Sequence, residues 1–313
     1  MPAFLARRLL ATIPVLLIVA VIIFLMTRLA PGDPATAIVG NDASAATLDA
    51  VRTQLGLKDP LPLQFGRWLL GILHGDLGQS FFMRQPVSKL IGQRIEPTVA
   101  LSTLTIVITI LVAVPLGVLA AWRHGGWLDR GLMTFSALGF SVPVFVTGYV
   151  LIWIFALRFH LLPVQGYHRI SDGALPWLRN LILPATTLSI VYLALIARVT
   201  RASVAEALTE DFIRTARAKG ISELRVLIHH ALRNAAIPIV TVIGIGIALL
   251  IGGVVVTESV FAVPGLGSLT VDAVLSRDFP LIQGITLLFA AVYVGINLMV
   301  DLSYLLLDPR IRQ

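Results

Sequence analysis

The side chains able to do chemistry are few in this chain, and their spacing limits what that chemistry is. There are six histidines, His74, His124, His160, His168, His229 and His230, and no cysteine. No two histidines stand four apart, the spacing that places two imidazoles on one helix face around a metal. No metal site is expected. His229 and His230 adjoin, so on a helix they point in different directions, toward solvent or a partner. Without cysteine there is no thiolate nucleophile and no disulfide. No Gly-x4-Gly-Lys-Ser/Thr phosphate loop occurs, which agrees with a chain that itself binds no nucleotide and no cofactor. Ionisable residues in or beside apolar runs are candidates for function by default. Glu258 and Asp301 are the two that stand out. For each, a gating or subunit-contact role stands beside packing or snorkelling to the headgroups. No acid–base pair, nucleophile or metal cluster is evident, and the chain is expected not to be an enzyme. The charged chemistry concentrates in one segment, Arg201–Ala236.

The elements that position that segment are apolar. Hydrophobic residues make up 57% of the chain and charged residues 13%, about half the charge of a soluble domain. That much charge cannot cover a soluble surface, so the remainder faces lipid. Spans need about 20 mostly apolar residues. Such runs occur at Leu9–Leu29, Val99–Trp122, Leu132–Phe159, Leu181–Val199, Ile237–Thr257 and Ile285–Leu307, giving an all-α membrane protein of about six helices. The first run is longer than the apolar core of a signal peptide and reads as an uncleaved span. Pro115, Pro143 and Pro184 predict a kink or helix boundary. Gly244, Gly246, Gly252 and Gly253 suit close helix packing, or the lining of a pore. Residues 30–96 form a mixed segment with short amphipathic helices at Ala43–Leu55 and Leu63–Leu73. Residues 1–29 are then the N-terminus and first span, and 97–313 a five-helix core.

The net charge of +7 is better explained by cytoplasmic loops than by nucleic acid. Arg7, Arg8, Arg123, Arg130, Arg201, Arg214, Arg217, Lys219, Arg225, Arg233, Arg310 and Arg312 fall on one side of six spans. That side is expected to be the cytoplasm, with both termini inside and 30–96 outside. Arg158, Arg169 and Arg179 lie opposite without reversing the bias.

Within Arg201–Ala236 the pattern is helical. Val204, Leu208 and Phe212 recur every four residues, with Glu206, Glu210, Asp211 and Arg214 between them. Lys219 and Gly220 form a helix stop: a cation in the last turn, then a residue that tolerates the left-handed conformation. Ser222 suits the N-cap of a second helix, Glu223–Ala235, and Pro238 opens the next span. The expectation is helix, glycine turn, helix. Small residues in Thr215-Ala216-Arg217-Ala218-Lys219-Gly220 allow close approach of a partner, and the cations add register. Periodicity alone favours an ordinary solvated connection between helices.

This arrangement resembles the cytoplasmic signature loop of ABC importer membrane subunits: Glu-Ala-Ala, three residues, Gly, nine residues, Ile-x-Leu-Pro. With Gly220 on the signature glycine, Arg214, Thr215 and Ala216 occupy the Glu-Ala-Ala positions, and Pro238 arrives late. Those departures are similar to the dipeptide, oligopeptide, glutathione and nickel permeases. That branch reads much like Glu210-Asp211-Phe212-Ile213-Arg214-Thr215-Ala216-Arg217-Ala218-Lys219-Gly220 followed by His230-Ala231-Leu232-Arg233-Asn234. Ala30-Pro31-Gly32-Asp33-Pro34, Gly75-Asp76-Leu77-Gly78, Glu258-Ser259-Val260-Phe261-Ala262-Val263-Pro264-Gly265-Leu266-Gly267, Arg277-Asp278-Phe279-Pro280-Leu281-Ile282-Gln283-Gly284 and Leu307-Asp308-Pro309-Arg310-Ile311-Arg312 also fit. The long segment after the first span resembles the first of two membrane subunits.

The resemblance implies an ABC type I importer fold and a heterodimer with a related second permease. Two cytoplasmic ATPase subunits would bind ATP and magnesium, and an extracytoplasmic binding protein would deliver substrate. Glu210, Asp211, Phe212, Arg214, Thr215, Ala216, Arg217, Lys219 and Gly220 would form the ATPase-coupling loop in a multi-pass inner-membrane subunit. Short peptides are the expected cargo, with glutathione and nickel chelates as alternatives. An ion-coupled secondary transporter would need mid-membrane acids or histidines, which the spans lack.

Overall fold

The computed structural model describes residues 2–29, 34–40, 43–54 and 56–307. Ala30-Pro31-Gly32-Asp33 and Asp308-Pro309-Arg310-Ile311-Arg312 lie outside the described residues. Among those described, the regular structure is helical, with one isolated bridge between Gln79 and Pro86. Two compact units are present. One comprises Met1–Glu96 and Ser268–Gly295, the other Pro97–Gly267 and Ile296–Gln313.

In the first unit, α1 (Pro2–Leu29) carries the first span over Leu10–Leu29. Two short helices follow, α2 (Pro34–Val39) and α3 (Ala45–Gln54), then α4 (Leu61–Leu73). The sequence anticipates α3 and α4 to within a few residues, but not α2. Pro60 and Leu61-Pro62 start α4 because proline's fixed φ suits the first helical turn, where no N–H partner is needed. Phe24 of α1 meets Phe65 edge-on at 5.4 Å and Trp68 at 5.6 Å, tying α4 to α1. In Gly75-Asp76-Leu77-Gly78 the Asp76 Oδ1 accepts the Gly78 N–H at 2.8 Å, a side-chain-closed turn. Asp278 is buried (1% exposed), takes the Ser80 hydroxyl, and accepts the Phe81 N–H at 3.2 Å.

The second unit contains most of α5 (Val87–Trp122), then α6 (Trp127–Ser141) and α7 (Val144–Leu151). The sequence reads α6 and α7 as one span, Leu132–Phe159. The structure breaks it: the two halves are bent by 107°. Val142 is extended (φ −94°, ψ 122°) before Pro143, the conformation that a following proline ring imposes on its neighbour. The second half continues as a π-helical run, Ile152–Arg158. Pro115 and Pro184, by contrast, lie inside α5 and α8 (Ala174–Ala207). With five unbroken long apolar helices, the count is five spans, or six if the bent pair is one.

The helix α8 is the centre of this unit. It packs on α6, α7 and, most extensively, the helix that follows the charged loop. That loop holds α9 (Asp211–Ala218) and a short α10 (Glu223–Arg225), which runs on as π-helix through Val226–Leu232. The next span is α11 (Ala236–Val260). It packs closely: a Cβ on Gly253 would fall 2.8 Å from the Tyr192 hydroxyl, and one on Gly244 would meet Val300. Gly252 has open space beside it. Two helices close the chain, α12 (Leu266–Leu275), which the sequence does not anticipate, and α13 (Phe279–Leu307).

Candidate functional site

The sequence ends the fourth span at Val199, but α8 continues to Ala207. The Val204–Leu208–Phe212 period therefore crosses a break. Residues 208–210 turn, Glu210 is extended (φ −69°, ψ 151°), and α9 starts at Asp211. Glu210 stands at the N-cap without a side-chain cap bond, while Thr215 Oγ1 donates to the Asp211 carbonyl at 3.1 Å.

The end of α9 is closed by two nested backbone bonds. Gly220 N–H donates to the Arg217 carbonyl at 2.9 Å, and Ile221 N–H to the Ala216 carbonyl at 3.3 Å. This pairing needs a left-handed residue just past the helix end, and Gly220 has φ +73°. Ser222 occupies the N-cap of α10, as the sequence predicts, yet its hydroxyl makes no cap bond.

Two faces of α9 differ sharply. Ile213 is 0% exposed and Ala216 is 5% exposed; they join Val118, Ala121, Val204, Ala207, Val226 and Leu227 in one apolar cluster. The loop is thereby packed onto the ends of α5 and α8 and the π-helical run. Glu210, Asp211, Phe212, Arg214, Thr215, Arg217, Lys219 and Gly220 are exposed. Ala216 departs from the expected role: three residues after Ile213, it shares the inward face and offers no contact to a partner. Small size there serves packing.

The exposed rim is braced by charge. Arg217 grips Glu223 through two bonds, Nε at 2.8 Å and Nη2 at 3.1 Å. Those hydrogen bonds hold the Glu223 carboxyl below the usual carboxylate range and raise Arg217. Arg214 reaches Asp211 at 3.2 Å, with both side chains mostly in solvent, a pair of small energetic consequence.

One brace was invisible in the sequence. Arg201, near the end of α8, binds Asp129 of α6 with Nε on Oδ1 at 2.8 Å and Nη2 on Oδ2 at 2.7 Å. Gly125 N–H donates to the same carboxylate at 2.9 Å, and His124 Nδ1 lies 2.7 Å from Arg201 Nη2. The turn before α6 is thus fastened to the helix that leads into α9. Nothing in the local pattern marks Asp129; only the glycine turn at Gly125-Gly126 hints that a side chain must close it.

Glu258 is 0% exposed and does not reach for headgroups. It accepts the Thr98 hydroxyl at 2.5 Å, and Thr98 Oγ1 in turn accepts the Leu266 N–H at 2.7 Å. The segment after α11 folds back over the carboxylate. A Cβ on Gly265 would collide with Glu258 Oε1, and one on Gly267 would lie 2.6 Å from the Val255 Cα. That contact explains the Pro264-Gly265-Leu266-Gly267 run. Asp301 is half-buried in α13. The structure does not bring Glu258 or Asp301 to α9.

Residues 113–313 match the model of the binding-protein-dependent transport system inner membrane component, and residues 1–102 match that of its N-terminal part. The chain belongs to that family. It is a permease subunit of an ABC importer, with the type I importer fold, and works with ATPase and substrate-binding partners. It is 54% identical to a Sinorhizobium fredii chain named "Probable peptide ABC transporter permease protein", over 100% of both chains. A Brucella abortus chain whose name places it in a peptide transport system is 45% identical over 100% of this chain and 99% of that one. The glutathione transport system permease protein of Pectobacterium atrosepticum is 44% identical over 98% of this chain and 97% of its own. In the permease, α9 lies within the part matched by the family model.

Proposed function

We propose that this permease carries short peptides into the cytoplasm, and that α9 is the element an ATPase subunit grips. The two-faced packing of α9 carries this reading: Ile213 and Ala216 fix it to the bundle, while Phe212, Arg214, Thr215 and Arg217 present an exposed rim. A helix fixed on one side and free on the other transmits displacement into α5, α8 and α11 without unfolding. ATP binding in the partners then biases a bundle with two arrangements.

The permease pairs with a related second permease, two ATPase subunits and an extracytoplasmic binding protein. ATP and magnesium are held by the ATPases, and this chain contributes no catalytic group. Both termini and α9 face the cytoplasm in the inner membrane, with residues 30–96 outside, as the loop arginines favour. Glu258 holds the segment after α11 in place during gating, and Asp301 serves at a subunit contact. Peptide cargo is supported by the names of the relatives at 54% and 45% identity. Glutathione, a tripeptide with a γ-glutamyl linkage, is the second reading, supported by the name of the relative at 44%.

The test is reconstitution of the assembled importer in liposomes. Uptake driven by ATP should be seen with dipeptides and be competed by them more strongly than by glutathione; the reverse order would replace the peptide reading. Phe212→Asp with Arg214→Glu should abolish ATPase association while the permease keeps its melting temperature. Retained association would sink the docking assignment for α9.

A further inference from the structure

Within the first unit, the end of α1, helix α4, the Gly75–Gly78 turn and the start of α13 enclose a cavity of about 320 Å³. Arg28, Gln64, Arg67, Trp68, Asp76 and Gln283 are on its wall. Two polar groups there are unmatched. Arg28 Nε is buried and finds no hydrogen-bond partner among the described residues, and the same holds for Gln64 Oε1. Gln64 is only 8% exposed, and its amide nitrogen is already committed to the Leu57 carbonyl at 3.1 Å and the Asp59 carbonyl at 2.7 Å. Arg28 stacks over the Phe24 ring, 5.4 Å from its centroid, and has no carboxylate partner among the described residues. Arg67 is shared with Asp59 at 2.6 Å. An unmatched guanidinium N–H and an unmatched amide oxygen, both buried, are costly unless a ligand completes them.

The depth and surroundings of the cavity indicate the ligand. Arg28 stands one residue before the end of the 20-residue apolar stretch Leu10–Leu29, which is long enough to cross the hydrocarbon, so its guanidinium sits at headgroup level. Met26 and Leu29 of α1 are 67% and 75% exposed, and Leu70 and Leu73 of α4 are 57% and 73% exposed. These leave an apolar rim beside a charged pocket, with Trp68 among the lining residues as at a membrane interface. We propose that this cavity holds the headgroup of a zwitterionic phospholipid. The phosphate answers Arg28 and Arg67 with charge-assisted bonds. The ammonium answers Gln64 Oε1 and Asp76, and the acyl chains lie along the exposed leucines.

The test uses the assembled importer in detergent, with native mass spectrometry and melting temperature as readouts. Phosphatidylethanolamine should be retained at one molecule per copy of this chain and raise the melting temperature. Phosphatidylglycerol should bind more weakly, and phosphoethanolamine or inorganic phosphate should shift neither readout at the same concentration. Arg28→Gln should weaken retention about tenfold, the value of one charge-assisted bond, and Arg28→Lys should restore part of it. Should Arg28→Gln fail to fold, Arg67→Gln carries the test, because its exposed side chain tolerates change; several-fold weaker retention is expected. Equal retention by wild type and Arg67→Gln, equal response to inorganic phosphate, or displacement of the lipid by a dipeptide would each overturn the proposal. None of these outcomes depends on the peptide reading of transport.

Discussion

Asp129 and Arg201 face each other across α6 and α8 in a two-bond grip, with the carboxylate 5% and the guanidinium 20% exposed. A carboxylate so placed, also capped by Gly125 N–H, fixes the turn before α6 onto the helix that enters α9.

Removing one partner strands the other. Asp129→Ala or Arg201→Ala should each destabilise the permease by about 3 kcal/mol or more, the penalty of an uncompensated buried charge. The double substitution should lose less than the sum of the two. A double-mutant cycle on melting temperature checks this, and strict additivity would show that the pair does not interact.

Gly220 has open space around its Cα, so only its φ of +73° resists substitution. Gly220→Ala should lower stability by about 1 kcal/mol, and Gly220→Asn by less, because asparagine tolerates the left-handed region. Thermal unfolding of the three proteins is the measurement; an alanine variant as stable as wild type would mean that the nested bonds at Arg217 and Ala216 do not hold the loop.

Opposite faces of α9 should respond in opposite ways. Ile213→Ala removes a wholly buried side chain and should destabilise by about 2–5 kcal/mol. Arg214→Ala, on the exposed rim, should leave the melting temperature within about 0.5 kcal/mol of wild type while weakening ATPase capture in a pull-down.

Gly265→Ala should be among the most damaging small substitutions, because the added methyl collides with the Glu258 carboxyl. Thr98→Val leaves Glu258 Oε1 and Leu266 N–H without their shared hydroxyl and should cost about 1–3 kcal/mol. Expression and melting temperature of both variants decide the point.

The Arg217–Glu223 brace sets a pH dependence with a definite sign. Glu223 is depressed when folded by its hydrogen bonds to Arg217, so the brace is complete above the ordinary glutamate range and is lost as pH falls through the depressed value. Carbon-13 titration of the Glu223 carboxyl should give a midpoint below that of an unpaired glutamate, and Arg217→Gln should return it to the ordinary range. Identical midpoints in the two proteins would remove the brace.

The apolar runs and the charged interval between them were legible in the sequence because each is a local property. Twenty apolar residues specify a lipid-crossing helix wherever they occur, and Lys219-Gly220 specifies a helix stop through backbone conformation alone. The boundary errors have local causes as well. The polar last turns of α8 read as the start of a separate charged helix, because hydropathy ends the span at Val199 and cannot see that Val204 and Ala207 are buried by neighbours. Pro143 marks a break, yet the 107° bend depends on what packs against its two halves.

Only the tertiary structure decided which residues of the charged loop face inward. Ala216 has the composition of a contact residue and the position of a core one. Likewise, Asp129 and Arg201, or Thr98 and Glu258, are far apart in the chain and carry no mutual signal. Their pairing is a matter of two helices bringing charge or hydroxyl together where water is excluded, and sequence periodicity reports one helix at a time. The sequence by itself determined a lipid-crossing bundle with a charged helix–turn–helix; the packing of its neighbours decided which side of that turn is buried and which is exposed.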